Sequence, residues 1–255
     1  MHRLSVALFS AVSAFVFTQI ASAADLPTKA PDYRGPPPAL SYSWAGLYLG
    51  ANAGVVWSNT DITWTRGDTG LGIAVTNAAT GSLEKSGFTG GGQLGYNFQS
   101  GQFVYGFETD INYTDISGSR TSHLTPPFVN TMVTTVESKW LGTVRGRLGA
   151  AFDRTLIYVT GGLAVANVKY SDSIGTTDIQ TNSSDTPRAG WTVGGGIEWA
   201  FAGPWSVKAE YLYVDLGNET YHGLSSSVGF TNVTLDHRLR ENIVRAGINY
   251  RFGGF

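Results

Sequence analysis

Apolar and polar residues alternate with a period of two along eight segments of this 255-residue chain. This period is the signature of β-strands, whose successive side chains point to opposite faces. The gaps between the segments are alternately long and polar or only about two to four residues. The predicted strands are Trp44–Trp57, Gly87–Phe98, Phe103–Asp115, Lys139–Phe152, Thr155–Tyr170, Gly190–Phe201, Trp205–Asp215 and Arg238–Phe252.

This rhythm predicts an all-β fold, an eight-stranded antiparallel up-and-down transmembrane β-barrel formed by residues 44–255. Bacterial barrels of this kind have tight turns at one end and long connections at the other. We expect residues 99–102, 153–154 and 202–204 to form periplasmic turns. Residues 58–86, 116–138, 171–189 and 216–237 are predicted to be outward-facing loops.

A soluble β-sandwich would also alternate, with its apolar face inward. Two features favour the barrel. Charges of both signs recur on the opposite face near mid-strand, where a narrow barrel would enclose them. Aromatic residues lie near the strand ends, the girdle pattern of a bilayer interface. The predicted girdle consists of Trp44, Trp57, Phe98, Phe103, Tyr113, Trp140, Phe152, Tyr170, Trp191, Trp199, Trp205 and Tyr213.

The fifth strand leaves its facing open, because both of its faces are apolar or small. Either Leu156 and Tyr158 face lipid, or Ile157 and Val159 do.

The charges predicted to face inward suggest three interpretations: an ion pathway, an enzyme site or a structural plug. An eight-stranded interior is just wide enough for side chains to fill, which favours the plug and leaves a small or gated pore as the alternative. We expect Glu108 or Asp110 to pair with Arg145 or Arg147, because their strands should be neighbours. The full set is Glu108, Asp110, Arg145, Arg147, Glu198, Lys208, Glu210, Arg245 and Arg251.

The N-terminus predicts export. Residues 1–23 resemble a signal peptide, with Arg3, an apolar core and a small-residue cleavage site ending at Ala23. Residues 24–43 contain five prolines and predict an extended periplasmic leader. A net charge of −2 implies no attraction to nucleic acid, and the absence of cysteine excludes disulfides and thiolate metal sites.

Several motifs together carry a family resemblance: WAGLYLGANAG after a Pro-rich leader, FVYGFETDI, LGTVRGRLGAAF, GWTVGGGIEWAF and NIVRAGINYRF. The chain resembles the small outer-membrane immunogenic proteins of Gram-negative bacteria, a branch of the opacity-protein-like, porin-family barrels. The resemblance implies an outer-membrane surface protein with a structural, envelope-integrity role, exposed antigenic loops and no catalytic residues. Alternatives are binding of hemin or a surface partner through the loops, or a narrow pore for small solutes.

The resemblance also sets the expected partners. These are outer-membrane lipid and lipopolysaccharide, an extracellular partner at the loops, and the barrel-assembly machinery that reads a terminal aromatic residue. Phe252 fits the strand alternation, whereas Phe255 is out of phase, so either could be that signal.

Some members of the resembling family bind hemin, which makes the loop histidines candidates: His123, His222 beside Tyr221, and His237. None has the spacing of a zinc site, and no cofactor or metal is predicted. A lipid hydrolase would need Ser, His and an acid at the barrel rim, and Ser225 to Ser227 follow His222. A nucleophile elbow is absent, so no enzyme is predicted.

Overall fold

The computed structural model describes residues 42–69, 74–75, 81–123, 131–174, 177–178, 180–181, 187–225 and 230–253. Within these ranges, no helix has the length and apolar character needed to cross a bilayer. Eight long strands dominate: β1 (Gly46–Thr69), β2 (Gly81–Ser100), β3 (Phe103–His123), β4 (Thr131–Phe152), β5 (Thr155–Ile174), β6 (Arg188–Ala202), β7 (Trp205–Ser225) and β8 (Phe230–Phe252). Two-residue strands at Ala74–Val75, Thr177–Asp178 and Gln180–Thr181 pair with β1, β5 and β7.

The eight long strands close into one antiparallel barrel. Each strand pairs with the next, and β8 returns to β1 in a register that runs from Leu47 opposite Phe252 to Thr69 opposite Phe230. Closure removes the free sheet edges that would otherwise expose unpaired backbone groups. The predicted eight-stranded fold is confirmed.

Three tight turns mark one end of the barrel, called here the lower end. Each begins with a residue in the left-handed region: Gly101, Asp153 and Gly203, with φ of 60°, 53° and 48°. Glycine enters this region without strain, and aspartate is among the residues that tolerate it. The chemistry of these short gaps therefore fits the turns that close them.

The opposite, upper end differs from the predicted loops. The strands extend far into the gaps: β1 continues to Thr69 and β3 to His123, and β4 begins at Thr131. Of the predicted loops 58–86, 116–138, 171–189 and 216–237, large parts are paired strand. Polar side chains occupy both faces there, which hides the period of two, whereas β-branched threonine and valine still favour extended backbone.

The outer wall carries an apolar belt. Its large apolar side chains remain exposed on the outward face, from Phe201 at 39% to Leu163 at 66%. A continuous apolar surface of this kind is tolerated only where a partner or a bilayer covers it. On β5, Ile157 and Val159 point outward while Leu156 and Tyr158 are buried inside, which resolves the facing left open by the sequence.

Most of the predicted girdle faces outward, with one exception. Trp44 is fully buried, so its assignment to the bilayer interface is wrong. It precedes β1 and turns into the lower mouth, where its backbone N–H donates to Gln99 Oε1 (2.6 Å) and its indole N–H to the Asp153 carbonyl (3.1 Å). The side chain of Tyr170 lies outside the described part. Exposed members are Trp57, Phe98, Phe103, Tyr113, Phe152, Trp191, Trp199 and Trp205, and Trp140 and Tyr213 are half-buried.

The belt predicts a position-dependent response to charge on one strand. Val159→Arg should destabilise the barrel in lipid vesicles by about 2–4 kcal/mol, because this residue lies within the apolar belt. Ser171→Arg is the matched control, since it occupies the same face of β5 above the belt and should change stability by less than about 1 kcal/mol. Urea unfolding of the vesicle-inserted proteins measures both, and equal losses would contradict the position of the belt.

Candidate functional site: the barrel lumen

The lumen is filled by three stacked layers of side chains. The inward positions of β3 show the order: Val104 in a lower apolar layer, Glu108 and Asp110 in an ionic layer, and Ile116 in an upper apolar layer. The lower apolar layer comprises Trp44, Val104, Ala151, Leu156, Tyr158 and Ala200. The upper apolar layer comprises Val56, Leu83, Ile116, Val136, Leu141, Ala164, Ala166, Val168, Leu212, Val214, Leu216, Leu239 and Ile243.

Two arginines from opposite sides of the wall reach into the centre of the ionic layer. Arg145 on β4 donates to Asp110 Oδ2 (2.7 Å), to Glu210 Oε1 (3.1 Å) and to Glu108. Arg245 on β8 donates to Glu210 Oε2 (2.8 Å) and to Asp110 Oδ2 (3.1 Å). The three carboxylates come from β3 and β7, so this cluster ties four strands together across the lumen.

Lys208 completes the cluster, with Nζ at 2.9 Å from both oxygens of Glu108. Neutral donors occupy further carboxylate lone pairs: the Tyr48 hydroxyl donates to Glu108 (2.7 Å) and the Tyr158 hydroxyl to Glu210 (3.0 Å). Buried ions are tolerated only with such dense pairing and hydrogen bonding, because their desolvation costs several kcal/mol each.

Arg147 does not join this cluster. It donates instead to Glu198 on β6, and its guanidinium lies 3.6 Å from the centre of the Tyr158 ring. Glu198 also accepts hydrogen bonds from Ser206 (2.6 Å) and Asn249 (2.9 Å). Of the two arginines expected beside Glu108 and Asp110, the structure therefore places only Arg145 in direct contact with them.

Arg251 also faces inward, but its partners are aromatic. Its guanidinium lies 4.6 Å from the Trp44 ring centre and 5.1 Å from that of Tyr42, and it donates to the Ser43 carbonyl (2.7 Å). It belongs to the closure of the lower mouth, where a cation over aromatic faces gains electrostatic attraction without a carboxylate.

The ionic layer is electrically balanced, since each of its four acids and four bases contacts an opposite charge. The acids are Glu108, Asp110, Glu198 and Glu210, and the bases are Arg145, Arg147, Lys208 and Arg245. These eight groups hold one another across the barrel, and apolar layers cover them above and below.

Sequence analysis missed one inward carboxylate. Glu241 is completely buried in the upper apolar layer. A signal was present, because Glu241 lies four residues before Arg245 on the same strand and therefore has the same inward parity.

Of the histidine candidates, only His237 has a side chain within the described part. His237 is completely buried on β8, and burial together with the nearby Arg188 lowers its pKa to about 4. His123 lies at the end of β3, and Tyr221 and His222 lie in β7, but their side chains are outside the described part. Over the same described ranges, no cluster of three or more His, Asp or Glu side chains could hold a metal ion.

The sequence was compared with those of known protein families, and it is similar to outer-membrane proteins. The model of the "Outer membrane protein beta-barrel domain" family matches residues 9–252. The chain belongs to this family. A 31 kDa outer-membrane immunogenic protein of Brucella melitensis is 35% identical over 94% of this chain and 96% of its own. A 22 kDa outer membrane protein of Rhizobium leguminosarum is 32% identical over 82% of this chain and 79% of its own.

A solved structure, Neisserial surface protein A, is also similar, with 14% identity, a TM-score of 0.39 and coverage of 82% of this chain and 98% of the other. As a member of this family the protein is an outer-membrane β-barrel surface protein. Its apolar belt is the surface that faces lipid, and the ionic layer is its buried interior.

The ionic layer predicts a large difference between two cationic residues of β4. Arg145→Ala should destabilise the barrel by about 3–5 kcal/mol, because it leaves Glu108, Asp110 and Glu210 short of a partner inside the lumen. Lys139→Ala is the control: its side chain is 48% exposed, its distance to Glu137 is 3.9 Å, and it should lose less than about 1 kcal/mol. Urea unfolding followed by cold and boiled gel migration measures both, and similar losses would argue against the network.

Proposed function

We propose that this outer-membrane protein is a closed structural barrel that supports polar hairpins on the cell surface. The filled lumen is the observation that carries the proposal. Two apolar layers enclose the ionic layer, and no charge of that layer is left without an opposite charge. In this role the barrel wall contributes to envelope integrity, and its chemistry is that of anchoring and display.

A pore is the less favoured alternative. An ion that enters the lumen must leave its water at an apolar layer lined by residues such as Leu212 and Ile243, which are nearly without exposure. Unpaired charge in such surroundings is strongly disfavoured. The ion would then have to displace paired side chains in the ionic layer. Both steps oppose conduction in the closed arrangement.

The upper end supplies the display surface. Strands of 15 to 24 residues exceed the ~9–11 residues that a tilted strand needs to cross the hydrocarbon core. The excess carries polar outward side chains above the belt, and the hairpins formed there would meet antibodies or an extracellular partner first. The Brucella relatives are named immunogenic proteins, which supports antigenic hairpins here.

Other partners follow from the wall. Lipid and lipopolysaccharide would surround the belt and the polar surface above it. Tyr250 and Phe252 end β8 on its outward side, so Phe252 is the aromatic residue we propose for recognition by the assembly machinery. Phe255 lies outside the described residues. Catalysis is not part of the proposal, and the names of the relatives support a non-enzymic role.

Hemin binding receives no support from His237. Its imidazole is buried, and a surface-bound porphyrin could not reach it without opening the wall. Any hemin site would depend on His123, Tyr221 or His222.

The closed lumen is tested by conductance in planar bilayers. We expect the folded protein at pH 5.5 to give no steady current steps in concentrated KCl, because the apolar layers exclude hydrated ions. Insertion is verified by the heat-modifiable gel band of the same vesicles. Steady, reproducible steps from verified folded protein would overturn the proposal in favour of a pore.

A further inference from the structure

Among the described residues, Glu241 is a carboxyl group of the upper apolar layer that has neither an ionic nor a hydrogen-bonding partner. Its exposure is zero, and neither carboxylate oxygen has a hydrogen-bond partner. Its inward neighbours on β8 are Leu239 and Ile243, and Val214 lies opposite it on β7. Ser58, opposite on β1, donates its hydroxyl to the Lys85 carbonyl (3.3 Å) rather than to Glu241.

Several charged or titratable groups lie near the level of Glu241 in the barrel, and they contact other residues. Lys85 of β2 packs against Gly118 of β3, and Asp215 of β7 is bonded to Arg238 (2.6 Å). Arg188 of β6 and His237 of β8 have partners of their own. The inward residues of β4 and β5 at this level are uncharged: Val136, Ser138, Ala166 and Val168.

We propose that Glu241 makes the upper apolar layer a proton-dependent seal: the layer is dry and closed while the carboxyl is protonated, and it must admit water or a cation when the carboxyl ionises. A neutral carboxyl can remain among leucine and isoleucine at modest cost, whereas an ionised one without a partner cannot. The charge therefore couples the hydration of the lumen to the external pH.

The position of Glu241 makes this coupling accessible from outside. Its neighbours Arg240 and Asn242 point outward with polar side chains, and Asn242 lies between the girdle residues Trp57 and Tyr213, so this level is the upper edge of the apolar belt. Burial raises the pKa of Glu241 to about 7 from a usual value of 4.5. His237, whose pKa is lowered to about 4, is neutral in the folded barrel over this range but binds a proton in the unfolded chain below about pH 6.5. Its titration therefore opposes that of Glu241 as the pH rises, and it is the same in wild type and in variants of Glu241.

The sign of the effect follows from linkage. The folded-state pKa lies above that of the unfolded chain, so the folded state binds the proton more tightly. The stability that the protonated Glu241 contributes is therefore fully present below pH 4.5 and is lost as the pH rises through 7. Ordinary carboxyl groups are already ionised above pH 5.5, so Glu241 is the carboxyl that titrates in this window. Histidines also titrate there, so the effect of Glu241 is read as the difference between wild type and a variant without this carboxyl.

The test compares wild type and Glu241→Gln by urea unfolding between pH 5.5 and 8.5. We expect the unfolding equilibrium constant of wild type, divided by that of the variant, to rise by roughly 30-fold across this range, because the contribution of His237 is common to both proteins and cancels. Glu137→Gln, whose side chain is 41% exposed, is the matched control and should behave as wild type. Glu241→Leu, which extends the apolar layer, provides a second variant without the carboxyl if the glutamine protein folds poorly.

The same pH-dependence in wild type and in both Glu241 variants would overturn the seal. Planar-bilayer currents separate this inference from the closed lumen on which it rests. Current steps that appear in wild type at pH 8.5 and are absent from Glu241→Gln support the seal. Steps already present at pH 5.5 would overturn the closed lumen itself.

Discussion

The guanidinium of Arg145 is the contact on which the interior depends. It contacts two carboxylates on the adjacent strand β3 and a third, Glu210, on β7 across the lumen, in an interior that apolar layers close above and below. In such surroundings the attraction between opposite charges is strong, and so is the penalty for any charge left alone. The ionic layer therefore holds the strands of the barrel at fixed positions, and the apolar layers above and below keep water from competing.

This arrangement inverts the usual distribution of residues in a soluble protein. The large exposed apolar side chains form a belt that faces lipid, and the paired charges lie inside, between two layers of apolar side chains. Alternation alone cannot distinguish the two cases, since Val144 and Arg145 would alternate in a sandwich as well. The presence of both signs of charge distinguishes the barrel from the sandwich. A closed barrel brings acids and bases from opposite sides of its wall together, as it does for Arg145 and Glu210.

Much of the fold could be predicted from the sequence for this reason. The eight strands, their short turns and the inward charges follow from a period of two and from gap lengths. The strand extensions could not, because Thr134 and Thr135 are polar on both faces of β4 and the facing signal disappears. Trp44 resembled a girdle residue, and only the backbone path before β1 shows that it turns inward. The partner of Arg147 depends on the stagger of strands around the barrel, which brings Glu198 of β6 within reach.

The lower mouth joins the two ends of the barrel's own sequence. Trp44 and Tyr42 precede the first strand, and Arg251 is the penultimate residue of the last strand. The guanidinium of Arg251 nevertheless lies over both aromatic rings. This contact exists only when β8 has been made in full and has met β1. The contact of Arg251 with Trp44 and Tyr42 therefore distinguishes a complete, closed barrel from a truncated or unclosed one, which cannot form it.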